Sequence, residues 1–220
     1  MILVLDYGRG NLFSLGEALR HLGADYRISG DPAALAQAER IVFPGVGAFG
    51  DAMDGLRKRG LVAPLQQAAA RGVPILGICV GCQLMLDRGE EFGAHAGLGL
   101  IPGAVARLPA PRSGDPDAIR IPNVGWRRLE VRPGAPVLDT LAPGTMMYFV
   151  HSYAPMVADP AHVAATIDVN GTAIPVAIHR GNLVGVQFHP EKSGPAGLAL
   201  IGRFLAADFS PARTEVEQEA

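Results

Sequence analysis

Two segments of the chain carry residue types that could do chemistry together, and the first surrounds Cys79. An apolar run enters the corner Gly77-Ile78-Cys79-Val80-Gly81, and an apolar helical pattern follows it. A cysteine between two glycines at a strand-to-helix corner is typical of a nucleophile elbow, with sulfur in place of a serine hydroxyl. The helix dipole and the free N–H groups at the start of that helix favour a thiolate. The spacing therefore predicts a reactive thiol at Cys79.

The second segment supplies a base for that thiol. His189 follows the apolar stretch Leu183–Phe188, and Glu191 comes two residues later. A thiol nucleophile needs a base to take its proton and a third group to orient that base. Because Pro190 favours extended backbone around it, the side chains of His189 and Glu191 are expected to face the same way. We therefore expect Glu191 to hold the imidazole of His189 in one tautomer.

An oxyanion hole is the third requirement of such a site. In a nucleophile elbow one donor is the backbone N–H of the residue after the nucleophile, here Val80, and the other comes from a loop after a neighbouring strand. The stretch Pro44-Gly45-Val46-Gly47 fits, because its glycines permit backbone N–H groups to point at a ligand. A cysteine, a histidine, a carboxylate and a glycine loop at strand ends indicate acyl transfer through a thioester.

The elements that would position these groups alternate between strand and helix in the first half of the chain, which predicts βαβ units and a parallel sheet. The fold class expected is an α/β protein with a flavodoxin-like, open and mostly parallel sheet, helices on both faces and a more antiparallel C-terminal half. Ligands of such sheets bind beyond the carboxyl ends of the strands, where Asn11, the Pro44 loop and Cys79 all fall. The predicted elements are strands at Ile2–Leu5, Tyr26–Ser29, Arg40–Phe43 and Val73–Ile78 and helices at Leu12–Leu22 and Leu61–Arg71.

The second half has shorter apolar runs separated by glycine, proline and aspartate. Ala106–Asp117 is predicted to be a mobile surface loop. We expect a single domain over residues 1–208 and a polar, frayed tail over 209–220. The other predicted elements are strands at Met146–Val150, Val163–Val169, Ala173–His179 and Leu183–Phe188 and a closing helix at Pro195–Ala207.

Composition excludes several classes of function. The 220 residues are 49% hydrophobic with a formal net charge of −2, which gives no electrostatic reason to expect a nucleic-acid partner. No apolar run approaches a membrane span, and the N-terminus is not typical of a signal peptide, so we expect a cytoplasmic protein with no membrane partner. Two cysteines cannot form a disulfide framework.

The pair Cys79 and Cys82 also spells Cys-x-x-Cys, the spacing of a redox motif. A redox function would leave His189, Glu191 and the Pro44 loop unexplained, and packing behind the elbow is the role expected for Cys82. A metal site would need two more ligands, and no second pair has suitable spacing, so neither a metal nor a cofactor is expected.

Five motifs together resemble a known family. Gly77-Ile-Cys-Val-Gly-Cys-Gln83 and Phe188-His-Pro-Glu191 are similar to the class I (triad) glutamine amidotransferases. Three further stretches, together with these, resemble the family of glutaminase subunits of imidazole glycerol phosphate synthase. The resemblance runs from Ile2 to about Phe204. The three stretches are Asp6-Tyr-Gly-Arg-Gly-Asn-Leu12, Pro44-Gly-Val-Gly-Ala-Phe49 and Tyr148-Phe-Val-His-Ser-Tyr153.

The resemblance implies roles for individual residues. Cys79 would attack the carboxamide of glutamine, with His189 as base and then acid and Glu191 as its orienting group. The ammonia would pass to a (β/α)8-barrel cyclase subunit in a heterodimer, which makes imidazole glycerol phosphate and an aminoimidazole carboxamide ribotide in histidine biosynthesis. Gln83, His151, Ser152 and Tyr153 would line the glutamine pocket, and Asn11, Trp126, Tyr148 and Lys192 would face the partner.

The chain departs from the family at one motif and leaves three alternatives open. Where the family usually has Pro-His-Met-Gly-Trp-Asn, this chain has Pro122-Asn-Val-Gly-Trp-Arg127, so Asn123 and Arg127 change the polarity near the expected interface. A paralogous amidotransferase feeding another synthase would look similar. The other two alternatives are a thiol hydrolase of related fold and a regulatory subunit without activity. The intact Cys79, His189 and Glu191 are not expected in an inactive subunit.

Overall fold

The computed structural model describes residues 1–111 and 118–209. Its secondary structure alternates between strand and helix as far as the nucleophile elbow and is dominated by strands after it. The helices are α1 (Leu12–His21), α2 (Pro32–Gln37), α3 (Phe49–Lys58), α4 (Val62–Ala70), α5 (Val80–Leu84) and α6 (Gly194–Ala206). The strands are β1 (Ile2–Leu5), β2 (Tyr26–Ser29), β3 (Arg40–Gly45), β4 (Ile75–Cys79), β5 (Arg88–Gly89), β6 (His95–Ala96), β7 (Gly103–Arg107), β8 (Asn123–Arg128), β9 (Glu130–Val131), β10 (Met146–His151), β11 (Tyr153–Val157), β12 (Val163–Val169), β13 (Thr172–Arg180) and β14 (Leu183–Val186).

A central eight-stranded sheet in the order β2-β1-β3-β4-β14-β13-β12-β9 positions the site. The first five strands are parallel, in the 2-1-3-4-5 order of flavodoxin-like sheets, and the last three add in antiparallel fashion. The predicted fold class, mostly parallel with a more antiparallel C-terminal half, is confirmed. Because β3, β4 and β14 are neighbours, the loops after Gly45, Cys79 and Val186 meet at one edge of the sheet.

The hydrophobic pattern explains why these strands lie at the centre. Residues Leu3 to Leu5 of β1, Ile41 to Phe43 of β3 and Ile75 to Ile78 of β4 are all buried, as runs with no polar alternation should be in a sheet covered on both sides. α1 begins where the side-chain oxygen of Asn11 accepts the Ser14 N–H at 3.3 Å. A helix cap therefore follows β1 directly and fixes how the chain leaves the sheet.

Two smaller sheets cover the edge where the parallel strands end. One is the antiparallel pair β8 and β10, and the other is a four-stranded sheet in the order β11-β7-β5-β6. The sequence predicted an antiparallel character here but not the second of these sheets, whose strands β5 and β6 have only two residues each. The chain passes from the β8–β10 pair to the four-stranded sheet at Ser152, because β10 ends at His151 and β11 begins at Tyr153.

Several predicted boundaries need correction. The last strand of the parallel set ends at Val186 rather than Phe188, because the chain turns before His189. β3 continues two residues beyond Phe43, to Gly45, and so brings the glycine loop level with Cys79. The predicted loop over Ala106–Asp117 lies partly outside the described residues, and the part described begins with the end of β7. Of the predicted tail, residues 210–220 lie outside the description. Among residues 1–111 and 118–209, no helix is long and apolar enough to cross a membrane.

Candidate active site

Cys79 lies at a sharp backbone corner between β4 and α5. Its φ of 54° and ψ of −114° lie in a region that L-residues rarely adopt. A Cβ on Gly77 would lie 2.8 Å from the Gly81 carbonyl oxygen, and one on Gly81 would collide with the carbonyl oxygen of Phe43. Both glycines are therefore required by close backbone approach, as expected for an elbow. α5 has only five residues, so any dipole contribution at Cys79 comes from little more than one turn.

His189 and Glu191 lie beside the elbow as an ion-pair unit. The Nδ1 of His189 is 2.9 Å from the Oε1 of Glu191, and the two side chains are only 7% and 3% exposed. The contact was predicted, but its backbone basis was wrong. Pro190–Lys192 forms a 3₁₀ turn, not an extended segment, and the carboxylate reaches the ring because a tight turn follows the histidine.

The electrostatics of His189 favour its protonated form. Burial opposes the imidazolium, but hydrogen bonds to the Cys79 sulfur and to Glu191 outweigh it and raise the pKa of His189 to about 10. A positively charged imidazole therefore lies between the Cys79 sulfur and the Glu191 carboxylate. At neutral pH the proton therefore resides on His189, where it is available for a leaving group.

Ser193 fixes the position of His189 relative to β10, and the sequence did not point to it. Its hydroxyl donates to the His189 carbonyl at 2.7 Å and accepts the Tyr148 N–H at 3.0 Å. The His189 N–H in turn donates to the Tyr148 carbonyl at 2.9 Å. The backbone of the histidine is thereby tied to the strand that carries Tyr148.

A cavity of about 330 Å³ opens above the Cys79 sulfur, a volume at the lower end of the range for small-molecule sites. It brings together most of the residues that were expected to bind substrate. The lining residues include Val46, Gly47, Cys79, Val80, Gln83, Glu91, His151, Ser152, Tyr153, Gln187, His189 and Lys192. The expected oxyanion donors, Val80 and the glycine loop, therefore both border the space above the nucleophile.

Gly45 is the one expected oxyanion residue that does not line this cavity. It pairs with Cys79 in the β3–β4 register, and a Cβ there would lie 2.5 Å from the Gly81 nitrogen and 2.6 Å from the Tyr7 hydroxyl. Its lack of a side chain lets the elbow pack against β3. Gly47, with φ of 93°, is the glycine of the loop that borders the cavity.

Three of the four residues expected to face a partner fall at the rim, and Asn11 does not. Trp126 is 47% exposed and contacts Tyr148 edge-on, with ring centroids 6.0 Å apart. Lys192 lines the cavity and is exposed. Asn11 is half-buried, caps α1 and lies against a small void bordered by His189 and Glu191, so it is closer to the triad than to the exposed rim.

Two residues that sequence reasoning missed also line the cavity. Glu91 accepts the Phe49 N–H at 2.9 Å, which places its carboxylate at the start of α3 and at the cavity wall. Gln187 is fully buried, donates its amide to the Cys79 sulfur at 3.7 Å and accepts from Gln83 at 2.8 Å. A glutamine between Val186 and Phe188 in an apolar run was a signal for the second, whereas Glu91 had no distinguishing pattern.

Cys82 is fully buried on the far side of the elbow. A Cβ on Gly185 would lie 2.7 Å from its sulfur, so the thiol packs against β14. Burial raises the pKa of the Cys82 thiol far above its usual range, with a smaller effect from Cys79. Both cysteines are free in the structure. Within residues 1–111 and 118–209, no group of three or more histidine, cysteine or acidic side chains is arranged to hold a metal ion.

Comparison with known proteins agrees with this geometry. The model of the family described as glutamine amidotransferase class-I matches residues 3–207. The chain belongs to the class-I glutamine amidotransferase family. Solved structures show the same fold at low identity: PurLQS from Thermotoga maritima has a TM-score of 0.70 and 23% identity, covering 93% of this chain and 96% of its own. A solved glutamine amidotransferase has a TM-score of 0.68 and 17% identity over 92% of this chain and 99% of its own.

Curated relatives narrow the family further. The imidazole glycerol phosphate synthase subunit HisH of Salinibacter ruber is 46% identical over 206 residues, 94% of each chain. The subunit HisH of Syntrophotalea carbinolica is 42% identical over 204 residues, 93% of this chain and 98% of its own. The HisH subunits are thus the branch of the family that this chain resembles over almost its whole length, and the resemblance predicted from the five motifs is confirmed.

Proposed function

We propose that this chain hydrolyses glutamine to glutamate and ammonia at Cys79 and delivers the ammonia to a (β/α)8-barrel cyclase subunit in a heterodimer. The cyclase would use it to form imidazole glycerol phosphate and aminoimidazole carboxamide ribotide in histidine biosynthesis. The observation that carries the proposal is the buried unit of Cys79, His189 and Glu191 beneath a cavity in a chain similar to HisH subunits. Two free cysteines suit a reducing cytoplasm.

The geometry supports a two-step acyl transfer. The Cys79 sulfur attacks the carboxamide carbon, and the oxyanion that forms accepts N–H groups from Val80 and from the loop at Gly47. His189 then gives its proton to the departing nitrogen. The nitrogen leaves as ammonia, and a thioester remains on Cys79. Water next attacks the thioester and gives a proton to His189, and glutamate leaves as the Cys79 sulfur is released beside the reprotonated imidazole.

Charged side chains at the cavity suit an amino acid. Outside the Cys79, His189 and Glu191 unit, the described lining residues with a full charge are Glu91 and Lys192, one negative and one positive. A zwitterion carries the complementary pair of charges. Glu91 is held in the wall by the Phe49 N–H, so we assign it to the α-ammonium of glutamine, with the strand junction at Ser152 and Tyr153 beside the rest of the ligand.

An exposed apolar surface beside the cavity is the proposed docking surface for the cyclase. We call it the Trp126 face. Register pairs Trp126 with Tyr148 and Val124 with Val150, so these side chains share one side of the β8–β10 pair. Val124, Trp126 and Val150 are 51%, 47% and 41% exposed. Apolar aromatic patches of this kind mark protein–protein contacts, and Val150 also lines the cavity, so ammonia leaving the cavity on this side would meet the docked cyclase.

The test is glutamate formation by the chain with and without a reconstituted cyclase that has been supplied with its nucleotide substrate. We expect low activity alone, strong stimulation in the complex and none in Cys79→Ala. Glu91→Gln keeps an acceptor for the Phe49 N–H but removes the charge, so it should raise KM about 10- to 100-fold with a smaller change in kcat. The matched control is Glu90→Gln, a change at the exposed residue next to Glu91, which should leave KM unchanged.

Two results would contradict the proposal. Turnover of other amides that is independent of the cyclase would indicate a free thiol hydrolase. If the wild-type chain forms a tight complex with the cyclase but hydrolyses no glutamine, it is a regulatory subunit without activity. An unchanged KM in Glu91→Gln would reject only the assignment of Glu91 to the α-ammonium group of glutamine.

A further inference from the structure

Strand β8 has a second side, opposite the Trp126 face, that carries Asn123 and Arg127, the two polar departures from the family motif. Alternation along the strand places Asn123 and Arg127 on that inner side. Asn123 is fully buried opposite His151 in the β8–β10 register, and Arg127 is half-buried. The two departures therefore lie together, next to a residue of the glutamine cavity.

A line of hydrogen bonds runs from Arg127 to the cavity wall. The Nε of Arg127 donates to the Oδ1 of Asn123 at 2.8 Å. The Nδ2 of Asn123 is 2.9 Å from the Nε2 of His151, and the Nδ1 of His151 is 2.9 Å from the Tyr153 carbonyl oxygen. Three successive contacts thus connect the half-buried guanidinium to the backbone junction between β10 and β11.

Only one assignment of donors and acceptors satisfies these contacts. Arginine has no acceptor, so the oxygen of the Asn123 amide must face it and the nitrogen must face His151. The Nε2 of His151 must then accept, which leaves the proton on Nδ1, where it donates to Tyr153. His151 is neutral at pH 7, because burial lowers its pKa to about 4 in spite of the bond to Tyr153. The Tyr153 carbonyl fixes the tautomer of His151, and Arg127 holds the Asn123 amide in the orientation that this tautomer needs.

A second line of bonds leads from the same carbonyl to the nucleophile. The Tyr153 carbonyl also accepts the amide of Gln83 at 3.1 Å. The same nitrogen of Gln83 donates its other hydrogen to the Oε1 of Gln187 at 2.8 Å, which turns the Nε2 of Gln187 towards the Cys79 sulfur at 3.7 Å. The last contact is already long for a hydrogen bond to sulfur, so a small shift of the carbonyl would end it.

We propose that Arg127 is a positioning residue for the nucleophile: through Asn123 and His151 it holds the Tyr153 carbonyl, and through Gln83 and Gln187 that carbonyl keeps an N–H donor on the Cys79 sulfur. Asn123 and Arg127 act as a matched pair in this unit, a short side chain combined with a long one. The family pattern, histidine with asparagine, combines a longer side chain with a shorter one at the same two positions. The departure near the expected interface is thus one compensated change.

The first test is the tautomer of His151, measured by ¹⁵N NMR of histidine-labelled protein. Wild type should show the Nδ1–H form. Arg127→Met keeps the length of the side chain but removes the donor that orients the Asn123 amide, so the Nε2 resonance of His151, which accepts from that amide, should shift. The matched control is Arg132→Met, since Arg132 also donates to a carbonyl, that of Pro160. An unchanged Nε2 resonance in Arg127→Met would overturn the proposal.

The second test is the reactivity of the nucleophile. Iodoacetamide modification of Cys79, followed by mass spectrometry, should change in rate by about threefold to tenfold in Arg127→Met, because the N–H donor to the sulfur is weakened. Arg132→Met should react at the wild-type rate. A changed Nε2 resonance of His151 with unchanged modification would show that the two lines of bonds are not coupled at the Tyr153 carbonyl, which also overturns the proposal.

The third test asks whether the pair is matched. Asparagine at position 127 is too short to reach Asn123, so Arg127→Asn should change the modification rate of Cys79 as Arg127→Met does. Adding Asn123→His, which restores the family pattern, should recover the rate to within about twofold of wild type. No recovery in a folded double variant would reject the pairing, and so would a folded Arg127→Asn with the wild-type rate.

This inference rests on the proposed function only for its effect on turnover. Neither the NMR signal nor the modification rate uses glutamine or a cyclase, so the two can fail separately. If the proposed function also holds, Arg127→Met should lower kcat of the complex with little change in KM, because the unit acts on the nucleophile and not on the charged ends of the substrate.

Discussion

Replacing Glu191 with glutamine separates the charge of this residue from its shape. The Oε1 of Glu191 is 2.9 Å from the Nδ1 of His189 in a buried unit, and an amide oxygen can take the same position. The variant should therefore keep the ring orientation and lose most of the electrostatic support for the imidazolium. Its fold should be unaffected, since the side chain keeps its volume.

The size of the effect follows from the electrostatics of His189. Its pKa is raised from 6.5 to about 10 against the opposing effect of burial, by Cys79 and Glu191 together. At about 1.4 kcal/mol for each tenfold change in protonation, this is about 5 kcal/mol, which Cys79 and Glu191 supply together, so Glu191 accounts for a few kcal/mol at most. We expect kcat/KM for glutamine to fall about 10- to 100-fold, mostly in kcat.

The pH profile provides a second measure with a definite sign. The raised pKa of His189 means that its proton is lost only as the pH rises through about 10. In Glu191→Gln that pKa falls, so the alkaline limb of glutaminase activity in the complex should move to lower pH. Activity within about threefold of wild type, with an unmoved alkaline limb, would refute the assignment of Glu191. The exposed Glu130→Gln is the control.

Three further predictions concern other parts of the molecule. Cys82 packs in the core and takes no part in a redox couple, so Cys82→Ala should keep glutaminase activity within about threefold and, like wild type, show no response to dithiothreitol. His151 is buried and neutral with a pKa lowered to about 4, so its contribution to the free energy of unfolding is complete above pH 6.5 and is lost as the pH falls towards 4. Up to about 3 kcal/mol should disappear in urea unfolding over that range, and His151→Gln should lose less. Trp126→Ala should weaken cyclase binding about 10- to 100-fold by calorimetry while Cys79 modification in the free chain stays unchanged.

Each of these has an outcome that contradicts it. Reductant-dependent activity that disappears in Cys82→Ala would restore the redox hypothesis for the Cys-x-x-Cys pair. Equal acid sensitivity in wild type and His151→Gln would mean that other groups titrate in that range. A cyclase affinity unaffected by Trp126→Ala would move the docking surface away from the Trp126 face.

The sequence was most informative where local backbone geometry determines the chemistry. The elbow at Cys79 and the contact between His189 and Glu191 depend on residues within a few positions of each other, so glycine spacing and the proline after the histidine pointed to both. The 3₁₀ turn at Pro190–Lys192 shows the limit of such reasoning: the pair was right although the assumed extended backbone was not.

Contacts between segments that are distant in the chain could not be predicted from the sequence. Glu91 reaches the cavity because strands β5 and β6, two residues each, fold against the start of α3, and no periodicity marks such short strands. Ser193 matters only because β10 passes beside it. Asn123 and Arg127 looked like unrelated polar changes until the strand register placed both on the same side of β8, next to His151.

The backbone at Cys79 also bears on how the position came to hold a cysteine. With φ of 54° and ψ of −114°, glycine would fit this corner without strain, and any other residue destabilises the fold by about 1–3 kcal/mol. Selection for folding alone would therefore favour glycine here, as at the neighbouring positions 77 and 81. A cysteine kept at this position in spite of its cost to the stability of the fold is evidence of selection for a reactive sulfur, obtained without any assay.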